Sequence, residues 1–273
     1  MTEMLVSDIL DLTDHGPDVW VGHGPTYPWG GLYGGQIVAQ ALMAAGHTVD
    51  EELPVHSVRA YFIRRGDQHQ PVRYEVDRIR NGRSFSTRRV VARQDGGAIL
   101  NLEASFQRPE ESVDVETIAP EPGIPRAEEL RSDSWSPTFR RAFVPGESTP
   151  HRLGGGRAAA WLCVQERLGD SPLLQAAALA FLSDDLPTDA VVRTHPIGAL
   201  TEEERWKVLF TASLDHSIWF HRPGRADEWH LHDFSCHSFS GGRGLALGHL
   251  HAADGTHMAT VAQEVLLRDT RER

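Results

Sequence analysis

Behind a Gly34-Gly35 pair, the apolar positions Ile37, Val38, Ala41, Leu42 and Ala45 recur at helical spacing and predict a small-residue helix from about Gly34 to Gly46. The period then changes. SVRAYFIR, VRYEVDR, SFSTRRVVARQ and ILNLEASFQ alternate polar with apolar residues, are rich in β-branched and aromatic side chains, and are broken by RRGD, RNG and QDGG turn signals. The order is one helix followed by an antiparallel meander. The second half repeats it. Ser171-Pro172 supplies an N-cap and a first-turn proline for LLQAAALAFLSDD, a helix apolar on nearly every side and therefore enclosed by protein. VLFTASLDHSIWFHR, EWHLHDF, GGRGLALGHLH and HMATVAQEVLL follow it as strands.

Between the halves, residues 109–130 hold four prolines (Pro109, Pro120, Pro122 and Pro125), seven carboxylates and one arginine, a composition that cannot bury a core and reads as an extended linker. The expected division is residues 1–108, a linker over 109–135, and residues 136–273. Landmarks recur across it at nearly constant offset: His56-Ser57 and His216-Ser217 are 160 apart, Asp95-Gly96 and Asp254-Gly255 are 159 apart, and Gln107 and Gln263 are 156 apart. This predicts an internal duplication in the α+β class, with two antiparallel sheets each wrapped around a central α-helix and able to join edge to edge. An all-β sandwich decorated with helices accounts less well for one enclosed helix at the same place in each half.

The chain's 273 residues give ample length for buried cores, and no apolar run approaches the roughly 20 residues of a bilayer span. No membrane or secretory signal is expected, and Cys163 and Cys236 are too few for a disulfide framework, so the expected compartment is the reducing cytoplasm. The net charge of −11 argues against nucleic acid as a partner. The basic residues are unevenly placed: Lys207 is the single lysine, and ten arginines lie between Arg59 and Arg93 against Asp67, Glu75 and Asp77. Those arginines are either outward strand positions in water or a patch for an anionic ligand, since guanidinium pairs bidentately with phosphate.

Serine-elbow, P-loop, Rossmann and H-E-x-x-H signatures are missing from the sequence. Eight of the fifteen histidines fall between His216 and His257, but no carboxylate or thiolate stands beside them at a familiar ligand spacing, so exposed or hydrogen-bonded strand histidines are favoured over a metal. Asp184 is more informative. It ends an apolar helix, where the dipole's negative end and low-dielectric surroundings both disfavour a carboxylate, and a raised pKa suits a general base. An exposed helix terminus, with Asp184-Asp185 in water, is the plainer alternative. Strict alternation through TASLDHS puts Thr211, Ser213 and Asp215 on one face and Ala212, Leu214 and His216 on the other. Gln263 shares an apolar face with Ala259, Val261 and Val265 and needs hydrogen-bond partners there, whether structural or functional.

Taken together, GLYGGQIVAQAL, HSVRAYFIRRGD, RNGRSFSTRRVVARQDGG with ASFQ, FLSDD, SLDHSIWFHRP, GGRGLA and VAQE resemble the acyl-CoA thioesterase II (TesB-like) family over residues 8–268. The resemblance implies a double hotdog fold, hydrolysis of fatty acyl-CoA to free acid and CoA, no metal or other cofactor, and a homo-oligomer. Carried over by position, it implies a catalytic set of Asp184, Ser213 and Gln263, although Ser213 stands where many relatives have Thr and Asp185 competes with Asp184 for the role of base. Gly34 and Gly35 are expected near the thioester carbonyl, and Arg88 and Arg89 near the CoA phosphates. Two other functions use the same cavity: an enoyl-thioester hydratase or dehydratase with Asp215-His216 as acid and base, and a non-catalytic acyl-CoA sensor.

Overall fold

The computed structural model describes residues 4–146 and 156–272. A short helix α1 (Val6–Leu10) and strands β1 (Thr13–Asp14) and β2 (Val19–Gly22) lead into helix α2 (Gly34–Gly46). Strands β3 (Val55–Phe62), β4 (Val72–Asn81), β5 (Phe85–Gln94) and β6 (Gly97–Gln107) follow. After residues 108–138, β7 (Phe139–Phe143) and β8 (Arg157–Val164) precede helices α3 (Pro172–Ser183), α4 (Pro187–Thr194) and α5 (Glu202–Val208). The chain ends in β9 (Leu209–Ser213), β10 (Asp215–Phe220), β11 (His230–Ser240), β12 (Arg243–Ala252) and β13 (His257–Asp269). Among the described residues, no helix is long and apolar enough to cross a membrane.

The strands form one continuous sheet, in the order β1-β2-β4-β5-β6-β3-β10-β13-β12-β11-β8-β7, with β9 also on β13, so the sheets of the two halves meet edge to edge. The join is the antiparallel pair β3–β10, in which Val58 faces Ile218. These two residues are 160 apart, the offset of the His-Ser landmarks, so at this one pair a residue faces its own counterpart and the pseudo-twofold that relates the halves passes between them. Pairing there protects an edge of each unit.

Both long helices are enclosed, as their sequences predict: residues 35–45 of α2 are all buried, as are Gln175 and residues 177–183 of α3. Ser171 caps α3 by accepting from the Leu174 amide, with Pro172 in the first turn. The two helices run antiparallel against each other. Gly35 of α2 touches Asp184 just past the end of α3, and Gly46 at the other end of α2 lies against Leu173.

The linker is only partly what its composition predicts. Residues 109–118 lie exposed, but further on Ala127 is buried in a small apolar cluster with Ala142, Val144, Ala159, Trp161 and Leu231. The Trp161 indole donates to the Pro125 carbonyl at 2.9 Å, and Arg157 pairs with Glu121 at 2.6 Å. Its second half therefore covers the outer face of β8, whose residues 158–164 are buried on both sides.

Candidate active site

Where the start of α2 meets the end of α3, a carboxylate is enclosed by protein. Asp184 is 7% exposed, and its Oδ2 accepts from the Gly35 amide at 2.8 Å. The approach needs glycine. A Cβ on Gly34 would lie 2.7 Å from that same oxygen, and one on Gly35 would lie 2.3 Å from the Phe181 carbonyl. Asp184 thus sits at the unfavourable end of its own helix and at the favourable end of its neighbour. Burial dominates: it raises the carboxyl to about 7, against hydrogen bonds from Gln263, Gly35 and Ser213 that pull it down, with nearby Asp185 pushing it further up.

The structure brings the other two polar residues to this carboxylate. Ser213 Oγ lies 3.3 Å from Asp184 Oδ1, and Gln263 Nε2 donates to Ser213 Oγ at 2.8 Å. Asp185 is spent elsewhere. The Trp135 indole donates to it at 2.5 Å, and both its oxygens lie 3.1 Å from Arg141 Nη1. Its side chain is almost wholly enclosed in that ion pair, so only Asp184 faces Ser213 and Gln263.

Alternation misplaced His216. Ser213 pairs with Val265 while Ser217 pairs with Ala262, so Leu214 and Asp215 together stand opposite Glu264 as a bulge. Both bulge residues are tied to Glu264: the Leu214 N–H donates to its carbonyl, and its N–H donates to Asp215 Oδ1. The extra residue shifts the phase, and His216 joins Ser213 on the inner side, with Nδ1 2.5 Å from Gln263 Oε1 and Nε2 2.8 Å from Ser183 Oγ. Burial pushes the imidazole down to about 4, so it is neutral at physiological pH.

The arginines expected near phosphate divide. Arg88 is 1% exposed and donates to the Thr48 hydroxyl and carbonyl, the Arg80 and Thr87 carbonyls and Asn81 Oδ1. All five of its N–H groups are used, which corrects the expectation that it binds substrate: it ties the end of α2 to the sheet. Arg89 is exposed and pairs with Asp77 at 2.9 Å. Arg73 and Arg93 pair with Glu75, and Arg78 with Asp18, so much of the cationic stretch is an outward ion-pair lattice. The clustered histidines include the buried His232 and His251, but among the described residues no group of three or more His, Cys, Asp or Glu is arranged to hold a metal.

An antiparallel sheet wrapped on enclosed helices is the frame in which a buried carboxylate, a hydroxyl and an amide meet at the helix junction. A structure from Alicyclobacillus acidocaldarius described as having a hot dog fold superposes with a TM-score of 0.76 at 19% identity, covering 96% of this chain and 97% of that one. Models of the acyl-CoA thioesterase N-terminal and C-terminal domains match residues 23–107 and 109–267. The acyl-CoA thioesterase II TesB2 of Mycobacterium marinum superposes with a TM-score of 0.81 at 33% identity, covering 97% of both chains. Mouse acyl-coenzyme A thioesterase 8 is 33% identical over 98% of this chain and 90% of its own length. The chain belongs to the TesB-like acyl-CoA thioesterase II family and is a thioester hydrolase.

Proposed function

We propose that this protein hydrolyses fatty acyl-CoA to free fatty acid and CoA, with Asp184 as general base and Ser213 and Gln263 holding the attacking water. The observation that carries the reading is the enclosed Asp184 carboxylate, raised to about 7 and shared with the Ser213 hydroxyl, on which the Gln263 amide converges. A base poised near neutral pH takes a proton from water without needing to be strongly basic. Hydroxyl and amide fix the water's position, so its oxygen attacks the thioester carbonyl from a defined direction. The tetrahedral intermediate then collapses with departure of the CoA thiolate, a good leaving group that needs no strong acid.

Gly34 and Gly35, lacking side chains, let the start of α2 come close to Asp184 and Phe181, and main-chain donors and the helix dipole there would stabilise the developing oxyanion. The Gly35 N–H already donates to Asp184, so the oxyanion donor is sought among its neighbours. Arg89 and other exposed guanidiniums on that sheet face are the candidates for the CoA phosphates. The reading takes the chain as a double hotdog of units 1–108 and 136–273 joined by 109–135, acting as a cytoplasmic homo-oligomer without metal.

The test is release of free thiol from acyl-CoAs of graded chain length by wild type and Asp184→Asn. Acyl-length-dependent release that the substitution abolishes supports the reading. Binding without release would favour an acyl-CoA sensor, and water addition to enoyl-CoA a hydratase. Asp215-His216 is poorly arranged for the latter, because Asp215 is bonded to the Glu264 amide and His216 is enclosed between Gln263 and Ser183.

A further inference from the structure

The mechanism leaves one buried titratable group at the site unused. His216 is fully enclosed, so no water can stand in for its partners, and each ring nitrogen meets one polar atom: Gln263 Oε1 at Nδ1 and Ser183 Oγ at Nε2. Gln263 is enclosed too, and its amide has two ends of nearly equal size, so packing alone does not choose which one faces Ser213.

The choice matters chemically. With Nε2 toward Ser213, at 2.8 Å, the amide donates to the hydroxyl oxygen, and the hydroxyl proton is left for Asp184. With the amide reversed, Oε1 would take the Ser213 proton. The hydroxyl would then present only lone pairs to an ionised carboxylate 3.3 Å away. Something must hold Oε1 away from Ser213, and only a donor on its far side does so.

We propose that His216 is a positioning residue: its single ring proton, carried on Nδ1, is donated to Gln263 Oε1 and fixes the amide with its N–H groups toward Ser213 and Asp184. Ser183 Oγ lies 2.8 Å from Nε2 and 2.9 Å from the Ala180 carbonyl, and in this arrangement its one proton turns to Nε2 rather than to that carbonyl, which selects the tautomer. The donor chain runs Ser183, His216, Gln263, Ser213, Asp184. It leaves the last residue of α3 and returns to the residue after it, so the base and the group that orients its partners are held by the same turn. The bulge at Leu214–Asp215 makes the loop possible by turning His216 toward Gln263. This rests on the assignment of Asp184, Ser213 and Gln263 proposed above, and the experiment separates the two.

The experiment is a double-mutant cycle in acyl-CoA hydrolysis, with folding of every variant checked by thermal melting. His216→Phe should lower kcat by about 10–100-fold, the scale of a misplaced reacting group, with KM changed less than about 3-fold. In a Gln263→Ala background the same substitution should change kcat by less than about 2-fold, because it acts through the amide. His216→Asn, which can offer an N–H near the Nδ1 position, should recover part of the loss. Additive losses in the cycle, or an Asn variant as slow as the Phe variant, would overturn the proposal while leaving the base assignment intact. Full activity of Gln263→Ala would instead remove the assignment on which it rests. If the Phe variant does not fold, nitrogen-15 spectra of histidine-labelled wild type decide: a neutral His216 protonated on Nδ1 between pH 6 and 8 supports the proposal, and protonation on Nε2 overturns it.

Discussion

The two ends of the antiparallel pair α2–α3 are related by the pseudo-twofold, yet they are built in opposite ways. At one end the chain leaving α3 presents a carboxylate, Asp184, to the first amides of α2. At the other, the chain leaving α2 presents Thr48, whose carbonyl and hydroxyl accept from the buried Arg88 guanidinium, while Leu173 of α3 fills the approach to Gly46. A cation at a helix C-terminus agrees with the dipole, and a buried anion there does not. The strand histidines diverge in the same way: His216 reaches Gln263, whereas His56 bonds Ser105 and has Phe106 beside it where an amide would be needed. One end satisfies its polar groups and is closed. The other keeps a costly carboxylate in reach of a hydroxyl and an amide, as the proposed general base requires.

The contrast is broken most sharply at Asp184. Asp184→Asn should lower kcat by about 10²–10⁴-fold, the usual contribution of a general base, whereas Asp185→Asn should spare the chemistry and weaken the Arg141 and Trp135 contacts. Its stability effect has a definite sign. The folded carboxyl titrates near 7 against about 4 in the unfolded chain, so wild type binds the proton more tightly when folded and loses that stability as pH rises from about 4 through 7. Asp184→Asn, which cannot ionise, should therefore gain in melting temperature over wild type most above pH 7 and least near pH 4.

Next in size, Ser213→Ala and Gln263→Ala should each lower kcat by about tenfold to a hundredfold with little change in KM, and the double variant should be little slower than the worse single. Full additivity in the rate assay would mean that the two do not hold one water. At the closed end the readout changes from rate to stability. Arg88→Met strands the Thr48, Arg80 and Thr87 carbonyls, and denaturant titration should show a loss of about 2–4 kcal/mol with kcat per folded molecule unchanged. A KM rise in folded Arg88→Met protein would return it to the substrate site. The smallest effect belongs to Arg89→Ala: KM for acyl-CoA should rise about 2–3-fold at low salt and converge on wild type as salt screens the phosphates. A salt-independent KM would leave Arg89 to its pair with Asp77.

Much of this contrast was legible in the chain. The helix over 34–46, the capped helix after Ser171 and the repeated strand order come from periodicity and turn residues, and the nearly equal offsets of the landmarks pointed to a duplication whose sheets could join edge to edge, without indicating that β3 and β10 are the strands that meet. Asp184 stood out as a carboxylate ending an apolar helix, Ser213 as part of a polar face in an otherwise apolar strand, and Gln263 as an amide on an apolar face. What alternation could not register was the bulge, since one extra residue at Leu214–Asp215 inverts the phase of everything after Ser213 and hides His216. The Gln107–Gln263 landmark also fails, because the strand position beside His56 is held by Phe106. Arg88 looked like its neighbours in a run of arginines, and only the contacts at the end of α2 separate a buried guanidinium with five donors engaged from an exposed one. That Asp184 rather than Asp185 faces Ser213 and Gln263 likewise depends on where Arg141 and Trp135 lie, far away in sequence.

The claim that one helix junction holds a water-activating base is tested most directly by the pH dependence of kcat for acyl-CoA hydrolysis. With Asp184 as base, the rate should rise tenfold per pH unit below about 7 and level above it, in wild type and in Asp185→Asn alike, with that inflection gone in Asp184→Asn. A flat profile between pH 5 and 9, or an inflection that survives Asp184→Asn, would contradict it.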